Sequence, residues 1–233
     1  MNARLQRLNV HLAAAKPSAT YKMIDRVAEL RTAGRSIISL TAGEPDFNTP
    51  SHVRQAAIAA IEAGKTRYTQ VAGLRELREA VARKFQRENG LDVTWQDTIV
   101  CSGGKQVLYN ALAATLNIGD EVIIPAPYWV SYPEMVQLSG AAAVLVSCRE
   151  SDGFKLTADT LASAITPRTR WLILNSPSNP TGAVYSAAEL RTFADVLLSH
   201  PQVLILCDDI YEHLIYDGAL FQTLAQVEPR LRD

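Results

Sequence analysis

Four strand-end stretches of this sequence combine residue types that could do chemistry. Val203–Cys207 is an unbroken apolar run, the pattern of a strand buried on both faces of a parallel sheet, and it gives way to Asp208, Asp209, Ile210 and Tyr211. A carboxylate at the carboxyl end of such a strand lies where open α/β sheets bind ligands. It is costly there unless a cation or a hydrogen-bond donor meets it. Alone, the stretch is more often a plain turn.

Ser102-Gly103-Gly104-Lys105 follows a strand-like segment and opens a helix. Glycines let a ligand approach the backbone, and the free amides of a helix N-terminus favour an anion such as phosphate. The spacing matches neither nucleotide-binding glycine motif. Lys105 in the first turn is unfavourable by roughly 0.3–1 kcal/mol, which suggests an anion nearby, although a solvated lysine fits as well. Pro127-Tyr128-Trp129 lies past the next strand, where the indole could stack on a flat ring or simply fill core. Asn175–Gly182 (NSPSNPTG) follows another strand; its prolines hold the backbone rigid and present the Asn179 amide. Together these ends describe a pocket for a flat, phosphorylated, hydrogen-bonding heteroaromatic.

The elements that must position them alternate regularly. Strands are expected at Thr98–Cys101, Glu121–Ile124, Ala142–Ser147, Trp171–Leu174 and Val203–Cys207. Helices are expected at Gln106–Leu116, Ser131–Leu138, Ala158–Ile165 and Ala187–Ser199. This is an α/β fold, a mostly parallel sheet sandwiched by helices. Upstream, helices are expected over Ser18–Arg31, Ser51–Ala63 and the charged Leu74–Asn89, with a short strand at Ser36–Leu40. The segment before about residue 45 fits the alternation less well and suggests a second layer or smaller domain.

Bulk properties narrow the class. The 233 residues are 48% hydrophobic and 20% charged with net charge −1, which gives no basic patch for nucleic acid and no charged tail. Cys101, Cys148 and Cys207 form neither a C-x-x-C pair nor an even framework, so reduced thiols in a cytoplasmic protein are expected, and no metal site. The first twenty residues lack an export signal, and no run approaches the roughly 18 apolar residues of a membrane span.

The motifs Lys16–Thr20 (KPSAT), Thr41–Phe47 (TAGEPDF), Arg67–Ala80 (RYTQVAGLRELREA), SGGKQ from Ser102, Ala126–Met135 (APYWVSYPEM), Asn175–Tyr185 and Asp208–Leu214 (DDIYEHL) stand in one order along the chain. In that order they resemble the fold-type I pyridoxal-phosphate-dependent aminotransferases of class I, in the bacterial aspartate aminotransferase branch. The resemblance implies that residues 46–233 are the large, cofactor-binding domain, truncated before its final strands, and that residues 1–45 contribute to the small domain. It implies pyridoxal 5′-phosphate as cofactor. Asp208 would pair with the protonated pyridine nitrogen, and Tyr211 and Asn179 would bond the ring's phenolic oxygen. Trp129 would stack on the ring, and the amides of Gly103, Gly104 and Lys105 would hold the phosphate. Tyr68 would reach the phosphate of the neighbouring subunit's cofactor in a homodimer. Gly43, Asn179, Trp129 and Lys105 would place the amino- and oxo-acid substrates, with Lys105 reading a distal carboxylate.

The implied reaction exchanges an amino group between L-aspartate or L-glutamate and 2-oxoglutarate or oxaloacetate. Amination of prephenate, an aromatic aminotransferase, a lyase of the same fold, or a non-catalytic relative such as a regulator's sensor domain remain alternatives. The family's Schiff-base lysine and two later arginines stand in a segment well past the aspartate. Here the last lysine is Lys155 and the sequence ends at Asp233, so no catalytic residue is expected within it. Because that lysine is also the proton shuttle, these 233 residues are expected to be inactive.

Overall fold

The strands form because β-branched and aliphatic runs here can be covered on both faces. The computed structural model describes residues 11–12, 19–41 and 43–232. Lys16–Ser18 of the first motif and Ala42 of the second lie outside the described residues. The described chain divides into two compact units, one within Pro17–Arg75 and a larger one from Glu76 onward that also takes in residues 11–12.

The first unit carries α1 (Ala19–Thr32) and α2 (Ser51–Glu62). The larger unit takes up α3 (Arg75–Asn89) from Glu76, then α4 (Gly104–Thr115), β1 (Glu121–Ala126), α5 (Ser131–Leu138) and β2 (Ala142–Ser147). It continues through α6 (Ala158–Ala164), β3 (Thr169–Asn175), α7 (Ala187–Leu198), β4 (Leu204–Asp208) and the short α8 (Leu224–Val227). The strands form one parallel sheet in the order β2-β1-β3-β4.

Alternation along each strand feeds two cores. Val122, Ile124, Ile173 and Leu206 pack on one face against Leu108 and Leu112 of α4 and Met135 and Val136 of α5. Ile123, Leu172 and Leu174 pack on the other against Leu161 of α6 and Leu190, Phe193 and Leu197 of α7. Local signals place the helix ends. Ser186 and Glu189 form a reciprocal capping box at α7, and Thr157 caps α6 by accepting from the Thr160 amide.

The expected helices are found with ends shifted by a residue or two. Two expected strands are not found. Thr98–Cys101 is not in the sheet: the Thr98 carbonyl is taken by the Arg78 guanidinium at 2.8 Å and its hydroxyl by the Trp95 carbonyl at 2.9 Å. Ser36–Leu40 is also irregular, with Ile38 and Leu40 exposed and the Ile37 carbonyl bonded by Arg31. Apolar content alone makes no strand without a neighbour to complete the ladder. The last strand is shifted by one residue, so that Asp208 itself pairs with Asn175 of β3.

Candidate active site

The carboxyl ends of β1, β3 and β4 and the amino end of α4 face one cleft of about 660 Å³ within the larger unit. Gly103, Gly104, Lys105, Trp129, Asn179, Asp208 and Tyr211, all singled out from sequence, line it. Gly43 and Tyr68 belong to the other unit, where the Tyr68 side chain is exposed.

The anion cradle follows from backbone conformation. Gly103 has φ +89°, a value that a side chain disfavours, and it starts α4. Its N–H is given to the Cys101 carbonyl at 2.9 Å, so the first-turn amides of Gly104 and Lys105 are the ones that can meet an anion. A Cβ at Gly103 or Gly104 would meet nothing within 4 Å, so the space above these backbones is open.

The opposite wall is built around Asp208. One carboxylate oxygen accepts from the Tyr132 hydroxyl at 2.7 Å, and the other lies 3.4 Å from the Ile210 amide. Among the described residues no cationic side chain forms an ion pair with it. Asn175 ties two loops together: its Nδ2 donates to the Asp208 carbonyl at 2.7 Å and its Oδ1 accepts from the Asn179 amide at 2.7 Å. Trp129 packs edge-on against Tyr132 with centroids 5.4 Å apart, and the Lys105 ammonium sits 4.8 Å from the indole centroid. The peptides before Pro127, Pro177 and Pro180 are cis.

Sequence reasoning missed Tyr132. It stands three residues after Trp129 on α5 and reads as one more apolar-face position, yet a buried tyrosine normally finds a partner for its hydroxyl. Burial, and then the Asp208 charge, push its phenol well above the ordinary range, so it remains a donor wherever the protein is folded. Tyr132→Phe is expected to cost about 1–2 kcal/mol in urea unfolding, since it removes a hydrogen bond to a charged acceptor that the open cleft partly rehydrates. An unchanged unfolding midpoint would contradict this.

The cleft thus offers helix-terminal amides, an aromatic face, an amide and a carboxylate with no ion-pair partner among the described residues. Over residues 35–232 the sequence matches the family described as "Aminotransferase class I and II". The chain belongs to the class I and II aminotransferases. The family depends on pyridoxal phosphate, and the residues in this cleft fit that group: a cradle at α4 and an uncompensated carboxylate opposite it.

Among curated aminotransferases, the chain is 57% identical over 222 residues to the "Aspartate/prephenate aminotransferase" of Cereibacter sphaeroides, covering 95% of this chain and 56% of that one. It is 52% identical over 216 residues to an "Aspartate aminotransferase" of Rhizobium meliloti, covering 93% and 53%. Among solved structures, the aspartate aminotransferase from Rhizobium meliloti aligns with a TM-score of 0.94 at 50% identity, over 97% of this chain and 57% of that chain. An aspartate aminotransferase from Thermus thermophilus, solved with maleate, aligns with a TM-score of 0.91 at 49% identity, over 95% and 58%. The chain therefore spans a little over half the length of these relatives.

Proposed function

We propose that this chain is part of an enzyme moving an amino group between a dicarboxylic amino acid, L-aspartate or L-glutamate, and a 2-oxo acid. The carrying observation is the Asp208 carboxylate, held by Tyr132 across the cleft from the α4 amides without a cation of its own. When bound, pyridoxal phosphate supplies an electron sink for the charge left on a substrate carbon that loses its proton. Asp208 would keep the ring nitrogen protonated, and Tyr132 would hold the carboxylate in place. The Gly104 and Lys105 amides would take the phosphate, with Gly103 giving the room. Trp129 would cover one face of the ring, and Asn179 and Tyr211 would meet its oxygen substituent.

The names of the relatives support aspartate as amino donor and leave prephenate as a second acceptor. Lys105 on the cleft wall supports a donor with a distal carboxylate. The reading includes a cytoplasmic homodimer in which Tyr68 reaches the neighbouring cofactor and Gly43 helps place the substrate. In it residues 46–233 belong to the large domain and 1–45 contribute to the small one. Among the described residues no helix is long and apolar enough to cross a membrane.

Within the 233 residues no lysine follows Lys155, so the reading assigns this chain binding without turnover. Titration with pyridoxal phosphate is expected to quench tryptophan fluorescence saturably at one site per chain, with the signal lost on dialysis. Addition of L-aspartate and 2-oxoglutarate should yield no oxaloacetate. Failure to bind would overturn the cofactor assignment. Turnover that Asp208→Ala abolishes would overturn the claim of inactivity.

A further inference from the structure

The turn that follows β4 carries Tyr211 to the cleft but has little apolar anchorage. Ile210 is 69% exposed, Leu214 is 54% exposed, and His213 faces solvent. Its own backbone bonds are Glu212 N–H to the Asp209 carbonyl at 3.0 Å and Leu214 N–H to the Tyr211 carbonyl at 2.8 Å. A turn of this kind opens readily unless side chains pin it.

The pin is Glu212. Its Oε1 is bonded by the Lys84 ammonium, and its Oε2 accepts from Asn89 Nδ2 at 2.9 Å. Lys84 closes the ring by donating to Asn89 Oδ1 at 2.9 Å. Asn89 is 2% exposed, so its amide is engaged at both ends in a site that water hardly reaches. Outside the ring, Glu88 approaches Lys84 at 3.7 Å and His213 at 3.2 Å. The ring joins the last turns of α3 to the residue after Tyr211, across more than 120 positions of sequence. Lys84 and Glu212 also line the cleft.

We propose, resting on the cofactor reading above, that Lys84, Asn89 and Glu212 are positioning residues that latch the Asp209–Leu214 turn and so set Tyr211 against the bound ring. In this assignment they act through the turn and not on the reacting atoms. Their effect is on where the turn sits. A latch of this kind lowers the ordering required when the cofactor arrives, and its loss weakens binding without unfolding the sheet.

The test is peptide-resolved hydrogen exchange on the 233-residue chain, combined with titration by pyridoxamine 5′-phosphate, which has no aldehyde to react with Lys84 or Lys105. Glu212→Gln and Lys84→Met are each expected to speed exchange of residues 209–216 roughly tenfold while leaving peptides from β3 and α7 unchanged. Each should weaken the amine's binding about five- to tenfold. The exchanged pair Lys84→Glu with Glu212→Lys, which the Asn89 amide can serve after turning over, should restore both. Unchanged exchange in the turn, or equal loss of protection in β3 and α7, would overturn the latch. If a single variant does not fold, failure of the exchanged pair to recover protection has the same force. Asp208→Asn is the control for the underlying reading. If it binds the amine as well as the parent does, the pairing of Asp208 with the ring fails while the exchange result stands, and if neither protein binds it, the cofactor assignment fails.

Discussion

Asp208→Asn is expected to weaken pyridoxal phosphate binding by roughly a hundredfold while leaving the fold intact. The amide keeps an acceptor for the Tyr132 hydroxyl and nearly the same volume, so the loss is one of charge. Opposite charges about 4 Å apart interact by about 4 kcal/mol at an effective dielectric of 20, and part of that is offset by desolvating the carboxylate. A net loss of about 2–3 kcal/mol corresponds to that hundredfold change. Fluorescence titration of parent and variant measures it, with thermal unfolding as the check on folding. A dissociation constant within threefold of the parent would remove the charge pairing from the reading.

Asp209→Asn is expected to stabilise the chain above neutral pH and to have little such effect near pH 4. Burial, together with the neighbouring Glu212 and Asp208 charges, pushes the Asp209 carboxyl up from 3.8 to about 7, against a lowering by the Thr223 hydrogen bond and Lys84. The sign follows from proton counts. Between about pH 4 and 7 the unfolded chain has released this proton and the folded chain retains it, so stability falls as pH rises through that window. Above about pH 7 both states are ionised and the penalty is constant. An asparagine bears none of it. The advantage of the variant in urea unfolding should therefore grow from pH 4 to pH 7, by at most about 4 kcal/mol. Parallel pH curves for the two proteins would refute it.

Much of the cleft is legible in the sequence because its residues sit at strand ends. Once the alternation of apolar runs and amphipathic segments is seen, Trp129, Asn179 and Asp208 must share a rim, since parallel strands put their carboxyl ends on one side, whereas Gly103 reaches it at the amino end of α4 with no sheet strand before it. What the sequence hides is contact between distant side chains. Arg78 reads as one more charge on a solvated helix, yet it is 8% exposed and its guanidinium ends a would-be strand by taking the Thr98 carbonyl. Tyr132 is hidden because a hydroxyl on an apolar face shows no partner until β4 is placed beside α5. Lys84 and Glu212 are 128 positions apart, and each is ordinary in its own segment. Strands are overcounted for a related reason: a strand is a property of a pair, and Thr98–Cys101 has no partner in this sheet.

The bridging role of Asn175 has a mechanical consequence. One short amide side chain grips the Asp208 main chain at one end and the Asn179 main chain at the other, and the same two strands are paired at that very position. Slippage of β4 along β3 would therefore have to break the Asn175–Asp208 bond as well as the ladder, so the two loops are tied to one register. The spacing between the Asp208 and Asn179 main chains is thus fixed through a single side chain, a rigidity that would suit a planar ligand held between them under the cofactor reading.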